Sequence, residues 1–341
     1  MLTNNEIKKQ IQNGKIIIKN MSDDALEKPN SCKVHLSDVL YTYDYSVVDA
    51  KYSIQYLEEV KNGKVNILNT IKIPENGLLL EPGKVYLTKT IEQVQTKDYI
   101  PVLNGRTSLS LLGLSIELNN GYTVDEYDGN LILCLICTKP TIIYPWIEIG
   151  NLTFFPSLNN TSTQKGMLSG KEIIRRINIG DIFIDNHDFL VINPNSINLS
   201  LNKKIGFYKE PIIDILKENE IQYLEINENG TFLYPDKIYV ARTNEWTETY
   251  NLIPMISGRS SLGRLGFHVH CSGGMGSIGY KGYWHLGIRT TLPIIIYENM
   301  KCCQIYFYTP EGEITNHYQG SMQQLSGNEL GSQMHRTLKK D

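Results

Sequence analysis

The feature that most constrains this chain is that it is written twice. Residues 76–154 align with residues 229–307 without a gap, and 27 of the 79 aligned pairs are identical. The likeness begins earlier. Met1-Leu2-Thr3 is followed by Glu6-Ile7, Ile11 and Gly14, and Met167-Leu168-Ser169 by Glu172-Ile173, Ile177 and Gly180. Both segments carry a Thr/Ser-x-x-Glu capping box, an apolar stripe at helical spacing and a closing glycine. Pro29-Asn30-Ser31 returns as Pro194-Asn195-Ser196 at nearly the same offset. A self-match at fixed period marks a tandem duplication. Its junction falls near Lys165-Gly166, so two domains are expected, 1–165 and 166–341. That number also suits 341 residues, which exceed one ordinary compact domain.

After its opening helix each copy reads as β-structure. Runs rich in Ile, Val, Tyr and Thr alternate with Asn, Gly and Pro turns, as in NGLLLEPGKVYLTKT and NGTFLYPDKIYVART. Such spacing over about 120 residues predicts a mainly β fold, a sandwich or distorted barrel of jelly-roll type. The 33 basic and 36 acidic side chains leave a net charge of −3, which argues against nucleic acid or an anionic membrane as partner. A local basic pocket for a small phosphate ligand remains compatible with it. No apolar run approaches the length of a membrane span, and the opening MLTNNEIKKQIQNG has no signal-type apolar stretch. The six cysteines are sparse. Cys134 and Cys137 have CxxC spacing, but they sit in LILCLIC, where a strand points them to opposite faces. Plain packing in a reducing, cytoplasmic setting is the expectation.

One segment carries chemistry. Gly258-Arg259-Ser260-Ser261-Leu262-Gly263-Arg264-Leu265-Gly266 packs two arginines, two hydroxyls and three glycines into nine residues. Donors this dense suit a polyanion such as a triphosphate, with Arg as a planar fork. A structural turn with Arg259 in an ion pair fits the same residues. The Walker GxxxxGK(S/T) motif is absent, as is the H-x-E…P-C-x-x-C pairing of zinc deaminases.

With these residues in view, the chain resembles the dCTP deaminases and dUTP diphosphatases, a superfamily with one trimeric, β-rich fold, and it is closest to the deaminase branch. The capped helix followed by Pro-Asn-Ser occurs twice, GRSSLxRLG is matched in full, and Gly273–Gly282 lies where the family has a pyrimidine-reading hairpin. LPIIIYENMKCCQIYFY is similar to the closing strand, and Tyr318-Gln319-Gly320 to the start of the tail that folds over bound triphosphate. The resemblance implies two dUTPase-like domains, a homotrimer, a pyrimidine deoxynucleoside triphosphate as ligand, and Mg²⁺ carried on its phosphates. It assigns nucleotide contacts to Arg259, Ser260, Ser261, Arg264, Gly274, Ser277, Tyr280, Tyr318 and Gln319, with Ser260 and Arg264 also orienting water.

The acids do not carry over. The position of the general-base glutamate is Gly287 in the second copy and Cys134 in the first. The hairpin aspartate falls at Ser277 and Val124, and an early aspartate at Asn198 and Lys33. Beside Val124, Asp125 and Glu126 would restore a carboxylate through a one-residue bulge. The second motif arginine of the first copy is Leu111, in GRTSLSL. His285 shares a strand face with Gly287 and has a suitable pKa, so it is a candidate substitute base, although a partner-bonded histidine on a half-buried strand is the reading its position favours. His268 and His270 read as structural, and Tyr280 as either a sugar contact or packing. A positioned base supplies about 10²–10⁴-fold. Three functions therefore stay open: a deaminase or hydrolase with altered groups, a catalytically silent nucleotide sensor, and a trimeric structural protein.

Overall fold

The computed structural model describes residues 1–43, 53–63, 68–117, 123, 126–156, 166–185, 191–263, 265–269, 273–320, 322–323 and 330–337. Each copy builds the same pair of sheets. In the first, the larger sheet runs Leu68–Lys72, Val39–Tyr43, Tyr86–Thr96, Asp128–Cys137, Leu114–Glu117, with Ile16–Lys19 also pairing to Tyr86–Thr96. In the second the order is Ile221–Glu225, Lys204–Tyr208, Tyr239–Thr249, Lys281–Thr290, Phe267–Val269, with Ile182–Ile184 in the place of Ile16–Lys19. The smaller sheets, Cys32–His35/Glu148–Pro156/Tyr99–Gly105 and Ile197–Ser200/Lys301–Tyr308/Ile253–Gly258, match as well. The fold is mainly β and of the dUTPase-like class, distorted and not closed into barrels.

The local chemistry explains the match. Thr3 Oγ1 accepts from Glu6 N at 3.3 Å and Ser169 Oγ from Glu172 N at 3.4 Å, so both predicted caps form. Inward positions alternate along Asp128–Cys137, whose burial runs strictly every second residue from Leu131. Cys137 therefore joins the main core of the first copy, while Cys134 packs on the other face beside Tyr41, Val60 and Leu87. In each long central strand the register shifts once, between Lys89 and Gln93 and between Arg242 and Trp246. A bulge there strengthens the twist that wraps one sheet over the other. Among the described residues no helix is long and apolar enough to cross a membrane.

A buried glutamate sits near each bulge. Glu245 accepts from Ser200 N and Oγ, and Glu92 accepts from His35 N at 2.9 Å while its other oxygen lies 2.7 Å from His35 Nδ1. The bond to Glu92 raises the His35 pKa above 6.5, against an opposing effect of burial. A raised histidine pKa stabilises the fold fully below its unfolded value and loses that contribution as pH climbs through the folded value. The melting temperature of the parent should therefore exceed that of His35→Gln most at mildly acidic pH, with the gap closing toward alkaline pH; a gap that is flat in pH would refute the assignment.

The copies are joined through backbone. Thr141–Ile143 pairs with Leu78–Leu80 of its own copy and takes Ile213–Asp214 of the second copy as a parallel third strand. Lys139 Nζ donates to the carbonyls of Tyr208 and Glu210, and Tyr144 OH donates to Asp214. Leu2 N donates to Phe154 O, and Thr3 N reaches across to Glu311 O at 2.8 Å. The equivalent ribbon of the second copy, Thr231–Leu233 with Ile294–Ile296, has no third strand among the described residues. Phe232, Leu292, Ile295 and Tyr297 stand exposed around it.

Candidate functional site

Motif, hairpin and tail do meet in one place, but the motif there is the degenerate one. The helix Thr107–Leu111 of the first copy lies on the strand Lys281–Thr290 of the second. Thr107 Oγ1 donates to Gly273 O at 2.9 Å, and Ile278 N donates to Asn30 Oδ1 at 3.3 Å. Gly287, at the general-base position, lies directly against the first copy. A Cβ on it would stand 2.7 Å from Ser110 O and 3.3 Å from Leu111 Cα. The two losses thus face each other: glycine in place of glutamate, leucine in place of arginine. Met334 of the C-terminal segment, 1 % exposed, joins the first copy's core and receives a bond from Ser108 Oγ of the same helix at 3.3 Å.

His285 shares the Gly287 face, sits opposite Arg242 and is 2 % exposed. It is enclosed by protein, an unfavourable place for a base that must reach solvent-borne substrate. Tyr280 donates to Tyr283 O at 2.6 Å, and its ring packs on Trp284 and Tyr318 with centroids 4.6 and 6.0 Å away. It is a core residue, and burial pushes its hydroxyl pKa far up. Gly274 is tied to the strand Ile253–Gly258, its carbonyl accepting Ile256 N at 2.8 Å, and a Cβ would fall 2.1 Å from Ile256 O. Its smallness serves packing. Ser277 O accepts Tyr280 N in the hairpin turn.

The tail folds along the hairpin. Tyr318 N donates to Ile278 O at 2.8 Å; the Gln323 carboxamide donates to Gly279 O and accepts from Lys281 N, both at 3.0 Å. A cleft of about 560 Å³ remains beside it, lined by Tyr250, Lys281, His317, Tyr318 and the exposed Gln319. The hydroxyl of Tyr318 lies in the field of Arg106 and Glu148, residues of the first copy.

Arg106 is the first arginine of the degenerate motif, and it is neutralised from within. Its Nη1 is 3.1 Å from Glu148 Oε2, and Lys28 Nζ is 2.7 Å from Glu148 Oε1 and bonds Asn151 Oδ1. Burial alone would raise the Glu148 pKa, but Lys28 and Arg106 outweigh it and hold the carboxyl below its usual range. Burial also lowers the Lys28 pKa. Lys33, at the early-aspartate position, pairs with Asp24 and Glu27.

The intact motif has the opposite electrostatics. Arg259 N donates to Cys302 O and Nη1 to Lys301 O at 3.2 Å, and among the described residues its guanidinium meets no carboxylate. Lys301 stands where the first copy has Glu148, with only a loose 3.8 Å approach to Glu245. Ser261 is exposed at the start of the helix Ser260–Gly263. Asn198 Oδ1 is held by Asn193 and Gln304 at 3.1 and 3.0 Å. Arg264, His270, Val124 and Asp125 lie outside the described residues. The residues expected as one site therefore separate into two halves. Arg259 and Ser261 lie at the second motif, whereas the hairpin holding Gly274, Ser277 and Tyr280 touches the first copy through Gly273 and Ile278, and Tyr318 lies in the field of Arg106. Sequence reasoning missed Glu148 and Lys28; the available signal was the charge reversal between Glu148 and its aligned partner Lys301.

Comparison with known proteins adds the lineage. The dCTP deaminase-like family model matches residues 1–157 and again 167–309. The "dCTP deaminase, dUMP-forming" of Leptospira biflexa is 44% identical over 161 residues, 47% of this chain and 92% of that protein. That of Hathewaya histolytica is 44% identical over 161 residues, 47% of this chain and 93% of its own. One relative's length thus corresponds to about half of the present chain. The 2'-deoxycytidine 5'-triphosphate deaminase of Agrobacterium tumefaciens superposes with a TM-score of 0.73 over 92% of this chain and 96% of its own, at 15% identity, a likeness of fold that spans both copies.

Proposed function

Since the chain belongs to the dCTP deaminase-like family, we propose that it binds a pyrimidine deoxynucleoside triphosphate at its second motif and has made its first motif structural. The observation that supports this reading is the contrast between two aligned arginines. Arg106 is matched by Glu148, whereas Arg259 lies beside Lys301 with no carboxylate among the described residues. A cation that meets no carboxylate among the described residues, at a glycine- and serine-rich turn, favours an external anion. Ser260, Ser261 and Arg264 complete the phosphate donors, and Mg²⁺ arrives on the phosphates, whose oxygens suit it. Deamination is weak in this reading. Gly287 offers no base, and a missing base costs about 10²–10⁴-fold.

The relatives are dUMP-forming dCTP deaminases by name, so dCTP and dUTP are the first ligands to try. The hairpin that would complete the Arg259 half comes from another chain, and a homotrimer is the assembly we propose. In calorimetry with Mg²⁺ and a nucleoside triphosphate panel, one dCTP or dUTP should bind per chain. Mass spectrometry of the same mixtures should find little dUMP, dUTP or pyrophosphate formed. Absence of heat with every nucleotide would remove the binding function, and rapid dUMP formation would restore the enzyme reading. A monomer mass in light scattering, with ligand present, would exclude the trimer.

A further inference from the structure

We propose that Glu148 is a built-in substitute for a phosphate, so that the site between the two copies is permanently occupied by the chain's own anion. The argument rests on the reading of the second motif as a phosphate cradle. At the junction, the aligned arginine, the hairpin and the tail are all present around one spot: Arg106, Ile278 and Tyr318. What stands among them is a carboxylate. Glu148 takes Arg106 on one oxygen at 3.1 Å and Lys28 on the other at 2.7 Å, an arrangement that two cations around a bridging phosphate oxygen pair would share. The three side chains are largely enclosed, with 12 %, 14 % and 20 % exposure for Glu148, Arg106 and Lys28.

The sister positions make the substitution specific to this copy. Glu148 aligns with Lys301, Asn151 with Gln304 and Lys28 with Asn193. The carboxylate and its second cation thus occur together, in the copy whose motif also has Leu111 and whose partner strand has Gly287. A buried ion triad needs every member, because removal of one leaves an uncompensated charge. With Glu148 in place, the two copies dock without a nucleotide. Its removal leaves two cations around a hole of anion size.

The test is made where the second motif cannot contribute, in Arg259→Ala. Inorganic pyrophosphate without magnesium should leave the melting temperature of Arg259→Ala unchanged. Arg259→Ala/Glu148→Ala should melt lower and be raised by about 2–5 °C at roughly ten times the dissociation constant. Should the alanine variant fail to fold, Arg259→Ala/Glu148→Gln removes the charge and keeps the shape, and the same selective shift is expected. Equal pyrophosphate response with and without Glu148 overturns the proposal. Failure of the unaltered chain to bind nucleotides would remove the proposed function, and this comparison would remain readable because Arg259 is absent from it.

Discussion

Gly287→Glu, which returns a carboxylate to the general-base position, should open the contact between the copies and yield no deaminase. The new Cβ would lie 2.7 Å from Ser110 O and 3.1 Å from Ser110 C, backbone atoms of the helix Thr107–Leu111. Overpacking of that kind costs about 1–3 kcal/mol for a single methyl group, so Gly287→Ala already tests it. The glutamate adds a charge beside the buried Leu111, and an unpaired buried charge is far more costly than the overpacking. The expected result is a melting temperature lowered by about 2–9 °C for alanine and by more than ~10 °C for glutamate, at roughly 2–3 °C per kcal/mol. Thermal denaturation measures both, and mass spectrometry after incubation with dCTP should find no gain of product. A glutamate variant as stable as its parent would mean that the helix Thr107–Leu111 does not rest on this strand.

The second large effect separates the two aligned arginines. Arg259→Ala should weaken triphosphate binding by about 30–4000-fold, the range for truncating one partner of a hydrogen-bonded charge pair. The fold should lose little, since Arg259 contributes one hydrogen bond to Lys301 O from its side chain, worth about 1 kcal/mol. Arg106→Ala should do the reverse. It leaves Glu148 with Lys28 alone, and breaking an enclosed ion network costs about 3 kcal/mol or more, yet nucleotide affinity should stay within about twofold. Calorimetry and thermal denaturation on both variants give a two-by-two result. If Arg106→Ala weakens binding as much as Arg259→Ala, the assignment of the two motifs is wrong.

The sequence made the architecture readable because the information is local or periodic. Capping boxes at Thr3 and Ser169, alternation along Asp128–Cys137 and the repeated order of turns each act over a few residues, and the structure follows them. The site was less readable for a tertiary reason. Arg259 and Tyr280 are close along the chain and look like one pocket, but the hairpin of the second copy packs against the motif of the first. Which motif meets which hairpin depends on how two sheets dock, and no spacing along one chain encodes it. His285 illustrates the same gap. Its strand face was correctly read as that of Gly287, whereas the body of the other copy covers that face. Glu148 was hidden because it lies far along the chain from Arg106, on a strand whose pattern looks purely structural.

The bare ribbon at Ile294–Ile296 has a consequence for how such chains can join. One copy's ribbon is capped by the other copy, so among the described residues each molecule has a satisfied end and an unsatisfied one, and it is polar in the sense that a magnet is. A contact there that repeats the pairing seen between the copies would be with an unlike surface. Unlike contacts either close on themselves after a fixed number of steps or run on without limit. Duplication here has not doubled a symmetric object; it has given the molecule a direction.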